Sequence, residues 1–239
     1  MAAKGIAAAP HPIEHPRSLT DLVRERVRGL IVDGTFELGE MISEERLSAA
    51  LGVSRSPVRD ALNELKAIGL VVVIPKKGSF VFDPSLDDVA AICEYRGILE
   101  FSAAKLAAER ASAAALVELR DAMARMKVAL ADDDPVAYGQ YDTAFHQIFF
   151  RHAANPFLAE AYALVSSRIA ALRTHLTASY VDRRQRSFDE HGRLVGYFAA
   201  GDMAGFNALL QGHILLTKEV YVLEINRRLD ELKSRGIQL

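Results

Sequence analysis

The chain has 239 residues, half of them hydrophobic and a quarter charged; this is the balance of a globular protein, and the length suits two modest domains better than one. Its 29 basic and 31 acidic side chains leave a formal net charge of -2, so net charge alone gives no reason to expect a nucleic-acid partner. A single cysteine, Cys93, excludes an internal disulfide and a thiolate zinc cage, and the lack of any run of about 18 apolar residues argues against a membrane span.

A cytoplasmic protein is therefore expected. Residues 1–17 begin with a short Ala-rich run that lacks the apolar core of a signal peptide, and they read as a disordered lead-in. Apolar residues at 19, 22, 23, 27, 30 and 31 then follow helical spacing to about Asp33, with Ser18 or Thr20 as the N-cap. The segment GTFELGEMIS reads as a turn with a short strand, and a second helix starts at Ser43.

Gly52 ends that helix in the position of a left-handed C-cap, and a third helix begins at once behind Ser54, with Pro57 in its first turn. Val58, Ala61, Leu62 and Leu65 form its apolar stripe, and Gly69 closes it. LVVVIPKKGSFVF follows as two strands around Pro75, Lys76, Lys77 and Gly78, a hairpin pattern. Asp83, Pro84 and Ser85 break this pattern, which sets a domain of residues 18–83 before one of residues 84–239.

Beyond Leu86 the periodicity is helical throughout, and helices are expected over 86–110, 113–131, 135–152, 156–179, 183–200 and 202–232. The fold class is mainly α: an N-terminal winged helix-turn-helix followed by an all-α antiparallel bundle.

Between positions 46 and 77, Arg46, Arg55, Arg59, Lys66, Lys76 and Lys77 face only Asp60 and Glu64. A helix, a tight Gly-containing turn and a second helix in this basic stretch form the arrangement that sets a recognition helix into the major groove. Arg55 and Arg59 are four residues apart and share a face, while Ser54 and Ser56 offer hydroxyls at the same helix start. Guanidinium forks there suit phosphate or guanine edges.

Residues 51–62, LGVSRSPVRDAL, resemble the characteristic run of the GntR superfamily of regulators, with Ser56 for the usual Thr and Asp60 for the usual Glu. The resemblance implies a palindromic double-stranded DNA operator bound by a homodimer. It also implies DNA contacts from Ser54, Arg55, Ser56 and Arg59, and a wing tip at Gly78 flanked by Lys76 and Lys77. A family position that often holds a further arginine corresponds here to Glu45, with Arg46 beside it.

His146, His191 and His213 each sit on the apolar stripe of their own helix and should point into the bundle. Asp142 lies one turn before His146, which puts both side chains on one face, about 6 Å apart. A buried carboxylate needs compensation, and three imidazoles with one carboxylate suit a divalent ion: zinc, nickel, manganese or iron. YRGILE at 95–100, DTAFHQIFFRHAANPFL at 142–158, DEH at 189–191 and the later His213 resemble the FadR-type ligand-binding domain called FCD. That resemblance implies a metal on Asp142, His146, His191 and His213, and a small carboxylate effector clamped by Arg96. Arg168, Arg173 and His175 are further candidates on the same bundle.

The expected function is a metabolite-controlled transcriptional repressor. A regulator that senses the ion alone and a metal-dependent enzyme are the alternatives; the chain shows no general base at fixed spacing from the ligands, no phosphate loop and no nucleophile motif.

Overall fold

The computed structural model describes residues 17–177 and 180–234. Apart from Arg17, the lead-in expected to be disordered lies outside them. The order of elements begins α1 (Leu19–Val32), β1 (Met41–Ile42), α2 (Glu44–Leu51), α3 (Arg55–Ala67), β2 (Val71–Ile74) and β3 (Gly78–Val81).

Ser18 is the N-cap of α1: its hydroxyl accepts from the Asp21 amide while Asp21 accepts from the Ser18 amide, so two otherwise orphaned N–H groups are satisfied. Ser43 caps α2 in the same sense, accepting from Arg46 N at 3.2 Å. Gly52 adopts φ 64°, a conformation that costs a side chain free energy, and this lets α3 restart within three residues. Val23, Val27 and Ile31 of α1 are buried, as are Val58, Ala61, Leu62 and Leu65 of α3, and the two helices pack together.

The sheet has the order β1-β3-β2, antiparallel, with Met41 opposite Phe80 and Ile74 opposite Gly78. The hairpin turns at Pro75 and Lys76, where the Ile74 carbonyl accepts from Lys77 N at 3.0 Å. Lys76 has φ 65°, the left-handed value required after a proline in this turn type and normally taken by glycine.

Five helices follow: α4 (Leu86–Ala131), α5 (Pro135–His152), α6 (Pro156–Thr177), α7 (Val181–Ala200) and α8 (Met203–Ser234). The two helices expected over 86–110 and 113–131 are the two arms of α4, which meet at a kink where Ala111 leaves helical dihedrals, φ -151° and ψ 35°. No proline or glycine stands there to stop the helix, and Arg110 ties the bend to the turn that follows α5 through the Ala153 carbonyl. α4 packs along α5 and also against α7 and α8. Among the described residues no helix is long and apolar enough to cross a membrane.

The winged unit rests on the bundle. His175 of α6 meets the Ile31 carbonyl at 2.8 Å, Arg228 of α8 meets the Leu38 carbonyl at 3.2 Å, and the Arg168 guanidinium lies beside Gly69.

Candidate functional site

Ser54, Arg55, Ser56 and Arg59 are exposed at the start of α3, and Lys76, Lys77 and Gly78 are exposed at the hairpin turn. The first turn of α3 holds no acidic residue, and the Ser54 side chain makes no capping bond, so its hydroxyl and the helix N-terminus face solvent. The Arg55 and Arg59 side chains, 59% and 63% exposed, pair with Glu45 at 3.2 Å and Glu44 at 3.1 Å. Exposed pairs of this kind contribute at most about 1 kcal/mol, so either guanidinium is released at little cost.

In the bundle, α5, α7 and α8 bring His146, His191 and His213 together, with one ligand atom from each ring inside a 4.8 Å group. All three are buried, and their remote nitrogens are held from behind. His146 Nδ1 lies 2.9 Å from Glu100 Oε2, His191 Nδ1 lies 2.6 Å from the Ser187 carbonyl, and His213 Nδ1 lies 2.8 Å from Glu190 Oε2. A carbonyl or carboxylate only accepts, so Nδ1 of His191 and of His213 carries a proton, while His146 Nδ1 stands beside the Glu100 carboxylate without a well-directed hydrogen bond.

Burial pushes the His146 ring down to about 4 against the pull of Glu100, and pushes His191 well below the ordinary histidine range against that of Asp142. Both rings are therefore neutral near pH 7, yet His146 Nε2 and His191 Nε2 stand 3.0 Å apart. The Arg96 guanidinium meets one of these nitrogens, and the convergence of three imidazoles fits a divalent metal ion.

Asp142 stands at the edge of the histidine group. Its Oδ1 is 3.5 Å from His146 Nε2 and its Oδ2 is 3.8 Å from His191 Nε2, while Arg173 Nη2 approaches Oδ1 at 2.7 Å. Burial would raise its carboxyl, but Arg173 and then the imidazoles hold it well below the usual carboxylate range. Arg96, 2% exposed, pairs with Glu100 at 2.5 Å and donates through Nη2 to His146 Nε2 at 2.9 Å. The same balance, burial opposed by Arg96 and His146, keeps Glu100 ionised.

A cavity of about 40 Å³ opens beside this cluster, and Arg96, Asp142, Arg173 and His213 line it with Arg183, Arg184 and Arg186 of α7. Of the additional candidates from the sequence, only Arg173 lines it; Arg168 and His175 face the winged unit instead. The α7 arginines and the supporting Glu190 and Ser187 escaped the sequence reading. Their signal is the run RRQRSFDEH at 183–191, where positions 184, 187 and 191 fall on one helical face and Arg186 pairs with Glu190 at 3.0 Å.

Comparison with known proteins decides the family. Residues 19–81 match the model for bacterial regulatory proteins of the gntR family, and residues 91–216 match that for the FCD domain. The chain belongs to the GntR family of bacterial regulators with an FCD domain. Among its GntR-family relatives, the HTH-type transcriptional regulator LutR of Bacillus subtilis is 28% identical over 211 residues, which cover 80% of this chain and 95% of that protein. The HTH-type transcriptional repressor NanR of Cronobacter sakazakii is 28% identical, over 83% of each chain. The structure of E. coli McbR/YncC shares the fold with a TM-score of 0.78 at 20% identity, covering 87% of this chain and 99% of that one. A GntR regulator from Rhodococcus gives 0.77 at 23% identity, covering 86% and 98%. These relatives are regulators and not enzymes, and this GntR/FCD chain is a transcriptional regulator, some of whose relatives are named repressors.

Proposed function

We propose that this GntR/FCD chain is a homodimeric, sequence-specific repressor whose affinity for a palindromic operator is set by a small carboxylate bound at a divalent metal ion. The domain of residues 18–83 reads DNA through Ser54, Arg55, Ser56 and Arg59, with Lys76, Lys77 and Gly78 of the wing. The domain of residues 84–239 holds the ion, zinc or one of nickel, manganese and iron, on Asp142, His146, His191 and His213. Arg96 is the first group to meet the carboxylate.

The observation that carries this reading is the convergence of three buried imidazoles on one point beside an arginine-lined cavity. A bound ion supplies a Lewis-acidic seat for a carboxylate oxygen. The Arg96 guanidinium orients the anion, and the apolar shell of Phe145, Phe149 and Tyr138 keeps bulk water out. The effector weakens operator binding only if it binds the DNA-free arrangement of the two domains more tightly.

The test is a thermal-shift screen of carboxylic acids on the full chain, with and without chelator, followed by operator mobility shifts. Acids that stabilise only the metal-loaded protein and lower its operator affinity are expected. Stabilisation that ignores the chelator removes the metal from the effector site. An operator response to metal alone, indifferent to every acid, replaces this reading with that of an ion sensor.

A further inference from the structure

The cavity carries more positive charge than one carboxylate answers. Five guanidiniums, of Arg96, Arg173, Arg183, Arg184 and Arg186, line it. Four of them face carboxylates: Arg96 faces Glu100, Arg173 faces Asp142, Arg184 faces Asp133 at 2.6 Å and Arg186 faces Glu190. Arg183 is the exception. It is half-buried, its Nη2 donates to the Leu216 carbonyl of α8 at 2.5 Å, and it meets no carboxylate among the described residues. The carbonyl bond holds its head at the cavity and leaves other N–H groups of the fork to spare.

A second observation points the same way. Arg173 is 7% exposed and lines the cavity, yet its Nη2 makes no well-directed hydrogen bond even though Asp142 is near. A buried donor left in that state gains from an added acceptor.

We propose that the effector is a compact dianion, one carboxylate entering toward Arg96 and the histidines and the second held by Arg183 with help from Arg173. This rests on the reading above that a carboxylate enters the site. The surplus guanidinium and a divalent ion together favour two negative groups over one. The space limits the size, since about 40 Å³ admits only three or four waters. The second group therefore sits toward the mouth, on a short backbone such as malonate, succinate or malate.

Isothermal titration of the zinc-loaded full chain with malonate, succinate and malate, against acetate, propionate, lactate and inorganic phosphate, tests this. The diacids are expected to bind at least about tenfold tighter than monoacids of matched length, the loss typical of one charge-assisted contact. Arg183→Gln should erase the preference while leaving monoacid affinity and zinc content unchanged, and Arg183→Lys should retain part of it. Equal binding of mono- and diacids by the wild type overturns the dianion and leaves the metal-carboxylate reading standing. Phosphate as tight as the diacids also overturns it, because one anionic group, with no second one reaching Arg183, would then suffice. Failure of every acid to bind overturns the metal-carboxylate reading itself. Should Arg183→Gln fold poorly, the lysine variant decides, since a full wild-type preference in it together with an unchanged ionic-strength dependence removes Arg183 from the contact.

Discussion

His175 donates from Nε2 to the backbone carbonyl of Ile31 at 2.8 Å, across 144 residues of sequence. Ile31 lies in the last turn of α1, and its carbonyl, which already accepts from Gly34 N at 3.3 Å, takes a second bond from a bundle side chain, so the winged unit is tied to the bundle there. Two positions earlier, Arg173 lines the cavity and approaches Asp142 at 2.7 Å. One helix thus touches both the candidate metal centre and the DNA-reading unit.

His175→Ala is expected to leave zinc content and acid affinity within about twofold, and to reduce most of the effector's influence on operator affinity. Couplings of this kind are typically about 1–3 kcal/mol. Operator dissociation constants with and without a bound acid measure it, and a wild-type response in the variant removes His175 from the route.

At the DNA-reading face, Arg55→Ala should cost about 1–3 kcal/mol of specific operator binding without loss of helicity. Lys76→Ala should weaken all sequences alike and lower the salt slope by about one. Glu45 pairs with Arg55 at 3.2 Å and places a carboxylate beside the helix start, so Glu45→Arg should tighten operator binding. Mobility shifts across a salt series separate the three outcomes, and unchanged affinity in Arg55→Ala would count against its contact.

His191→Ala should reduce bound metal from about one ion per chain to a small fraction. The ion's contribution to stability, about 2.7 kcal/mol at a hundredfold excess over its dissociation constant, then disappears, so the melting temperature should drop by about 5–10 °C. Glu190→Gln, which alters the support behind His213 at 2.8 Å, should cost about 10–100-fold in metal affinity with a smaller thermal change. Metal analysis together with calorimetry reads both; a fully metallated, equally stable His191→Ala would remove that ring from the ligand set.

Acid should destabilise the metal-free protein. Burial lowers His146 to about 4 and His191 well below the ordinary range, whereas the unfolded chain takes up these protons near pH 6.5. From about pH 6.5 down to 4 the unfolded state therefore binds more protons, and stability falls as pH falls, by up to about 1.4 kcal/mol per unit for each ring. Below that window the loss continues as Glu100 and Asp142, held below their usual range by Arg96 and Arg173, are forced to protonate. The urea midpoint in chelator should decline steadily from pH 7 to pH 5, and a flat profile would mean that the rings are charged in the folded protein.

Local chemistry made the winged unit legible from residues alone. Ser18, Ser43, Gly52 and the Pro75–Gly78 turn act within a few residues of themselves, so their spacing already states where helices begin, end and restart. The inward aim of His146, His191 and His213 was equally readable, because a 3.6-residue period places each on an apolar stripe. Pairing across elements was not readable: Glu100 behind His146, Arg173 on Asp142 and the Arg183 contact with the Leu216 carbonyl each join separate helices. The elements and their buried faces follow from the residues alone, since those depend on short-range periodicity and capping. Which polar groups share one cavity is a matter of helix packing, and no local rule brings residues of five helices to the same place.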